Sequence, residues 1–164
     1  MFTTSHRPDW NFVLRHPAHF IAFGGGIGLM RIAPGTFGTL LAFPLYWALA
    51  PWLSTLQLLA LTGVLFLVGS WACGVAGRAL GVPDHGGMVW DEVVAFLLVL
   101  CLVPPWGYWT ACAFLLFRLF DILKPQPIRY YDRTLKGGFG VMFDDLVAAF
   151  YTLIVLAVAK NVLD

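Results

Sequence analysis

The chain has 164 residues, of which 60% are apolar and 12% are charged, whereas soluble domains usually contain about 45–50% apolar and about 25% charged residues. This balance excludes an ordinary soluble globular protein, and the excess of apolar side chains excludes an intrinsically disordered one. Ten Lys and Arg residues against nine Asp and Glu residues give a net charge of +1. The chain therefore has no strongly basic surface of the kind that indicates nucleic-acid binding, and we expect no nucleic-acid partner.

Three long stretches carry no charged residue and no histidine: residues 32–77, 93–117 and 146–159. The first has 46 residues, which is enough for two bilayer crossings of about 20 residues each. Helices are expected rather than a barrel, because the alternation of apolar and polar residues that barrel strands require is absent. We therefore predict an all-α, polytopic membrane protein that forms a single domain over residues 1–164, with a polar arm at residues 1–16.

After the polar arm comes a glycine-rich apolar stretch at residues 20–30, which either crosses the membrane or lies along it. A turn at residues 31–35 leads into the first of five predicted crossings. In chain order, the predicted helices cover residues 37–50, 55–77, 88–103, 107–121 and 144–162. A polar segment ends near residue 92, and a second polar segment, at residues 124–143, is predicted to be a loop.

The stretch at residues 93–117 allows two topologies. A single straight span would place Glu92 and Arg118 on opposite membrane faces, whereas a hairpin would return them to the same face. We predict a helical hairpin broken near Pro104-Pro105, because two prolines followed by Gly107 end a helix and suit an interfacial turn. The aromatic residue Trp106 would anchor this turn at the interface.

The basic residues support this topology independently. Nine of the ten fall on one side of the predicted membrane, and only Lys160 falls on the other. The nine are Arg7, Arg15, Arg31, Arg78, Arg118, Lys124, Arg129, Arg133 and Lys136. Such an asymmetry is typical of a cytoplasmic face.

Seven of the nine acidic residues reach the same face in this topology, and this clustering is the main functional signal. They are Asp84, Asp91, Glu92, Asp121, Asp132, Asp144 and Asp145. The alternative is that they mark solvated helix ends, where helix dipoles favour acidic residues in the first turn. Solvated ends would be expected on both faces, however, and the opposite turns at residues 51–54 and 104–107 carry no charge. Because ionisable groups at membrane depth usually serve a function, we predict a site.

Several carboxylates without cysteine ligands suit a hard cation such as Mg2+, and neighbouring cations suit a phosphate group. Arg118, Asp121 and Lys124 are spaced by three residues and so lie near one another on one helical face. They could line a phosphate pocket, or Arg118 and Asp121 could form an ordinary intrahelical salt bridge. His85 is a candidate proton donor or orienting group, although a lone histidine is often an incidental polar contact.

Three segments of the chain resemble the phosphatidylglycerophosphatase A family. They are Pro34-Gly-Thr-Phe-Gly-Thr39, Asp84-His-Gly-Gly-Met-Val-Trp-Asp-Glu92, and Phe117-Arg-Leu-Phe-Asp-Ile-Leu-Lys-Pro-Gln-Pro-Ile128, which continues through Asp132, Gly137-Gly-Phe-Gly-Val-Met142 and Asp144-Asp145. The second and third segments are long and unusual, whereas the first alone would be a weak signal. Gln126 departs from the pattern, which more often has an aromatic residue there.

The resemblance implies a Mg2+-dependent phosphatase of the bacterial inner membrane, with its active site facing the cytoplasm. The reaction it implies converts phosphatidylglycerophosphate to phosphatidylglycerol and inorganic phosphate. The expected Mg2+ ligands are Asp91, Glu92, Asp121, Asp144 and Asp145, and the expected phosphate-binding residues are Arg118, Lys124 and Arg129. The expected catalytic residues are Asp84, His85, Asp91, Glu92, Asp121 and Asp145, with Asp84 or His85 as the acid for the leaving glycerol oxygen.

An ion- or proton-coupled transporter is the alternative function, because intramembrane carboxylates also serve transport. A transporter would favour charges near the middle of the membrane with access from both faces, whereas here the acids are one-sided. Membrane lipids are the expected surroundings in either case. The sequence leaves the oligomeric state open.

Overall fold

The computed structural model of the protein describes residues 7–104 and 107–163. In chain order its elements are α1 (Trp10–Arg15), α2 (Pro17–Ala22), a 3-10 segment (Gly24–Leu29), α3 (Pro34–Leu49), α4 (Thr55–Leu80), α5 (Trp90–Leu102), α6 (Tyr108–Leu123), α7 (Ile128–Thr134) and α8 (Gly137–Leu163). These two ranges contain no β-strand, so the prediction of an all-α fold is confirmed.

The sequence predicts the boundaries of α3, α4, α5 and α6 to within a few residues. The Ser54 side chain accepts a hydrogen bond from the backbone N–H of Gln57, whose side chain in turn accepts one from the backbone N–H of Ser54. This reciprocal capping satisfies two unpaired N–H groups and begins α4 at Thr55. Gly81 adopts the left-handed conformation, with φ of 70°, and ends the same helix.

The prediction of a loop over residues 124–143 is wrong. Seven of these residues form α7, and α8 begins at Gly137 rather than near Asp144. Gly137 turns the chain into α8 with φ of 78°. At Gly138, an added Cβ would lie 1.8 Å from the carbonyl oxygen of Ser70, so α8 packs directly on the backbone of α4. The polar residues of this segment favour a loop in the sequence. In the structure, the close contact with α4 extends α8 toward its N-terminus.

The glycine-rich stretch at residues 20–30 does not form a membrane-spanning helix. It contains the end of α2 and the 3-10 segment, each of which has only six residues. Gly24, Gly25 and Gly26 all have positive φ, which breaks any continuous helix at this point. The preceding polar arm includes α1, whose first turn is capped by Asp9.

The core of the bundle lies around α5. Val93, Phe96, Leu97 and Leu100 of this helix are at most 1% exposed. The helix contacts α3, α4, α6 and α8, so it is covered on all sides by other helices. Since α5 begins with Trp90-Asp91-Glu92, its burial carries two acidic side chains into the end of the bundle.

Within the described residues, two helices are long and apolar enough to cross a membrane: α4, and α8 over residues 137–162. Fewer than half of the residues in their most apolar windows are buried, 28% and 44%, so their apolar surface mostly faces outward. The shorter α3, α5 and α6 have 16, 13 and 16 residues, below the roughly 20 that a crossing usually needs. The structure therefore supports two crossings by length, and the five-crossing topology stays a prediction.

The chain folds back between α5, which ends at Leu102, and α6, which begins at Tyr108. Pro105 and Trp106 of the predicted turn lie outside the described residues. At the ends of α5 and α6 that are opposite this turn, Glu92 and Asp121 both lie beside Arg118. The two acids are therefore on the same face, as the hairpin predicts.

Candidate metal and phosphate site

The functional side chains meet at one end of the bundle because the helices alternate in direction. The first turns of α3 and α5 and the first half of α8 reach this end, and so does the last turn of α6. Each of these helices contributes at least one polar group there. The hairpin between α5 and α6 and the early start of α8 are therefore what assemble the site.

Three carboxylates form its centre. One oxygen each from Asp91, Glu92 and Asp145 lies within 4.8 Å of the others, a spacing that can accommodate a metal ion. Asp91 and Asp145 are buried, and Glu92 is half-buried. The atoms Asp91 Oδ1, Glu92 Oε2 and Asp145 Oδ2 are buried without a hydrogen-bond partner among the described residues. Unpaired buried carboxylates are costly, and a bound cation would satisfy all three at once.

Arg118 borders this carboxylate trio. Its Nη1 atom lies 3.7 Å from Oε1 of Glu92 and forms an ion pair with Asp121. The same atom donates a hydrogen bond to the Thr39 hydroxyl at 3.4 Å. The intrahelical salt bridge with Asp121 is thus present, but Arg118 also reaches residues of α3 and α5. Its buried Nε has no partner in the described part of the chain, which leaves a donor for an oxyanion.

Asp121 pairs with Arg118 rather than joining the trio, although it interacts electrostatically with Glu92 and Asp145. It therefore lies next to the proposed metal position. Asp144 also lies outside the trio, because its Oδ2 accepts a hydrogen bond from Lys124. The structure thus places three of the five predicted metal ligands together and the other two beside them.

Lys124 is held between two carboxylates. Its Nζ atom is 2.5 Å from Oδ1 of Asp132 and 2.5 Å from Oδ2 of Asp144. Burial by itself would lower the pKa of Lys124, but the negative charge of Asp144 and the hydrogen bonds to both carboxylates raise it above its ordinary value. For Asp132, burial acts against ionisation, and the hydrogen bond from Lys124 outweighs it and lowers the pKa. Lys124 remains charged and joins α7 to α8.

Asp84 lies beside Asp132 and Asp144, the two carboxylates that bind Lys124. A small cavity of about 170 Å³ is lined by Asp84, Asp132 and Asp144 together with residues of α8. Partial desolvation raises the pKa of Asp84, Lys124 opposes this rise, and the nearby charges of Asp132 and Asp121 add to it. A carboxyl group with a raised pKa is suited to proton donation.

His85 and Arg129 each make a hydrogen bond with the backbone. The Nδ1 atom of His85 accepts a hydrogen bond from the backbone N–H of Gly87 at 3.0 Å, so a neutral ring carries its proton on Nε2. Arg129 donates to the carbonyl oxygen of Leu123 at 3.3 Å and is exposed. The structure shows no contact of Arg129 with the carboxylate trio among the described residues, and its role in phosphate binding stays a prediction.

Two residues of the site were missed by the sequence reasoning. Gly35 lies so close to Glu92 that an added Cβ would be 2.1 Å from Oε1 and 3.2 Å from Nη2 of Arg118. Thr39 donates its hydroxyl hydrogen to the carbonyl oxygen of Gly35 at 2.9 Å and accepts from Arg118. Both lie in the Pro34–Thr39 segment, whose sequence alone is only weakly indicative of the family. Their place in the site is visible only in the structure, where they contact α5 and α6.

The carboxylate trio can hold a cation, and the unpaired donor of Arg118 can bind an oxyanion beside it. These features define a class of protein: an all-helical protein with membrane-length helices and a largely buried acidic cluster that could hold a metal ion beside an arginine.

Comparison with known proteins identifies the family within this class. Residues 20–160 match the family described as Phosphatidylglycerophosphatase A. A protein of Haemophilus influenzae with that name is 44% identical over 93% of this chain and 94% of its own length. A protein of Escherichia coli K12 with the same name is 40% identical over 82% of this chain and 78% of its own length. No solved structure matches the chain significantly.

A third relative, from Bacteroides thetaiotaomicron, is 39% identical over 87% of this chain and 93% of its own length, and is named as a candidate phosphatidylinositol-3-phosphatase. The extent of these matches shows that the chain belongs to the phosphatidylglycerophosphatase A family, and the predicted resemblance is confirmed. Membership makes the protein an enzyme of the phosphatase class. It gives the transporter alternative no support.

Proposed function

We propose that the protein is a Mg2+-dependent phosphatase that hydrolyses phosphatidylglycerophosphate to phosphatidylglycerol and inorganic phosphate. The observation that carries this proposal is the carboxylate trio, which has unpaired buried oxygens and contacts Arg118 through Glu92. The family supplies the reaction class, and the names of two relatives supply the substrate. The whole chain, residues 1–164, would form one phosphatase domain.

The trio of Asp91, Glu92 and Asp145 would hold Mg2+, with Asp121 and Asp144 close enough to orient its surroundings. When bound, Mg2+ neutralises phosphate charge and lowers the pKa of a coordinated water. The donor set fits this ion, because it consists entirely of carboxylate oxygens and contains no cysteine or histidine.

The chain's own residues would bind the phosphate and supply the proton. Arg118 would donate from Nε to a phosphate oxygen while its Nη1 holds Glu92 and Asp121 in place. Asp84 or His85 would protonate the leaving glycerol oxygen, and the raised pKa of Asp84 suits it to this role. Lys124, already bound to two carboxylates, would keep Asp144 oriented, and a direct contact with phosphate stays a prediction.

A position at the surface of the bacterial inner membrane suits this reaction. The acyl chains of the substrate would stay in the bilayer while its terminal phosphate reaches the end of the bundle. The multi-pass topology, with the site on the cytoplasmic side, can be tested by labelling single cysteines introduced at Ser54 and Lys136 in a Cys-free background. We expect an impermeant reagent to reach the two positions from opposite sides, and labelling from the same side would refute the topology.

The decisive test of the activity is phosphate release by the purified protein from a panel of lipid phosphates. We expect release from phosphatidylglycerophosphate with Mg2+ and none after chelation. Phosphatidylinositol 3-phosphate should be included, because one relative is named for that substrate. Absence of phosphate release from every lipid in the presence of Mg2+ would contradict the proposal, and preference for the inositol lipid would correct the substrate.

A further inference from the structure

One cavity among the described residues borders the first residue of α3 and is lined by none of the proposed metal ligands. It has a volume of about 530 Å³ and lies between the start of α1, the 3-10 segment and residues 85–87. Its lining includes Arg7, Arg31, His85, Trp10, Met30 and Pro34. It is therefore large enough for part of a lipid headgroup.

The cavity adjoins the catalytic end of the bundle through the first residues of α3. Pro34 lines the cavity, and the next residue, Gly35, is the one that contacts Glu92 and Arg118. His85 lines the same cavity and follows Asp84 directly in sequence. A ligand whose reacting group lies at the trio could therefore extend past Pro34 into this cavity.

The charges of the cavity indicate an anionic ligand. Arg7 and Arg31 are exposed and make no ion pair or side-chain hydrogen bond to any residue in 7–104 or 107–163. The only carboxylate in the lining, Asp9, is engaged in capping α1, where it accepts from the backbone N–H of Phe12 at 2.9 Å. Two guanidinium groups are thus free to bind an oxyanion.

Exposed apolar side chains lie in the cavity lining and next to it in sequence. Met30 and Ile32, the neighbours of Arg31 in sequence, are 43% and 79% exposed. The exposed Trp10 ring packs on Gly26, where an added Cβ would lie 2.2 Å from the ring. Exposed aromatic and aliphatic side chains around arginines are typical of a membrane interface. The ligand should therefore combine an anionic group with acyl chains.

We propose that this cavity binds the phosphodiester of the lipid substrate, with Arg7 and Arg31 as its ligands. The inference rests on the proposed function, in which the terminal phosphomonoester occupies the trio. The relatives are named for lipids that carry a phosphodiester as well as the phosphate that is removed. The cavity would thus select headgroups with two phosphates over lipids with a single phosphomonoester.

Kinetics on two short-chain lipids in a neutral detergent test this selection. Phosphatidylglycerophosphate has both phosphates, whereas phosphatidic acid has only the monoester. We expect R31Q and R7Q each to lower kcat/KM for the first lipid by about tenfold, the loss typical of one charge-assisted hydrogen bond, and to leave the second unchanged. R15Q is the matched control, because Arg15 is an exposed arginine of α1 outside the cavity lining. Equal losses on both lipids, or no loss on either, would overturn the proposal.

A binding measurement separates this inference from the proposed activity. Short-chain phosphatidylglycerol carries the phosphodiester but no phosphate to be hydrolysed, so its binding to the metal-free protein does not depend on catalysis. We expect calorimetry to show binding to the wild type and to R15Q, and a loss of affinity of about tenfold or more in the R7Q/R31Q double variant. Unchanged affinity in the double variant refutes the subsite even if the phosphatase activity is established. An inactive wild type that retains arginine-dependent binding would refute the activity alone.

Discussion

The Nη1 atom of Arg118 lies 3.7 Å from Oε1 of Glu92, although 26 positions separate the two residues in sequence. This contact joins the first turn of α5 to the C-terminal part of α6 across the hairpin. It also brings a cation next to the carboxylate trio, where a phosphate group needs it. The pair therefore links the fold-back of the chain directly to the proposed chemistry.

Replacing Arg118 with Lys should abolish most phosphate release and destabilise the protein. A lysine cannot hold Glu92 and Asp121 and also supply a donor to phosphate, because it lacks the planar fork of donors. Lysine keeps the positive charge but loses part of the hydrogen bonding to the two carboxylates, so we expect the free energy of unfolding to fall by about 2 kcal/mol. Thermal unfolding and phosphate release measure the two effects. R15K is the control, since Arg15 is an exposed residue of α1 outside the site, and equal effects of both substitutions would contradict the assignment.

Asp145→Asn should stabilise the protein without metal and remove its stabilisation by Mg2+. In the absence of a cation, the substitution relieves repulsion among three carboxylates that lie within 4.8 Å. In the wild type, Mg2+ at 100 times its dissociation constant should add about 2.7 kcal/mol. Melting temperatures with Mg2+ and with chelator measure both effects. D132N, which removes an acid outside the trio, should keep the Mg2+ response, and an unaltered response in D145N would exclude Asp145 as a ligand.

Lys124→Met should destabilise the protein by about 3 kcal/mol, because it leaves the buried Asp144 carboxylate without its cation. The matched control is K136M, since Lys136 donates only to the backbone carbonyl of Asp132 and is exposed. Chemical unfolding of both variants measures the difference. Similar losses of unfolding free energy in the two variants would show that the two ion pairs of Lys124 do not stabilise the protein.

The same ion pair predicts a pH dependence. Asp132 has a pKa below its ordinary value of 3.8, because the hydrogen bond from Lys124 outweighs the opposing effect of burial. Its contribution to stability is therefore present above pH 3.8 and is lost as the pH falls through the lowered pKa. With 33% of the Asp132 side chain exposed, we expect about 1 kcal/mol. Unfolding of the wild type and D132N should converge at low pH, and a constant difference between them would contradict this account.

Gly35→Ala should weaken Mg2+ binding more than it weakens folding. The new methyl group would lie 2.1 Å from Oε1 of Glu92, and the flexible end of that side chain can move away. The displaced carboxylate would then leave the trio, so Mg2+ affinity and phosphate release should fall by at least about tenfold. G63A is the control, because nothing lies within 4 Å of an added Cβ at Gly63. Titration of Mg2+ compares the two variants, and equal affinities would exclude a role for Gly35.

The sequence by itself determined that the protein is helical and which acidic and basic residues are available for the site. These properties follow from composition and spacing, which act locally along the chain. Only the tertiary structure decided that Asp91, Glu92 and Asp145 form the trio, that Lys124 binds Asp132 and Asp144, and that Gly35 touches Glu92. Such choices depend on helix packing, including the contact of Gly138 with α4 that starts α8 early. A sequence pattern fixes which residues share a helix, whereas the distances between helices are set by side-chain volume and backbone approach across the bundle.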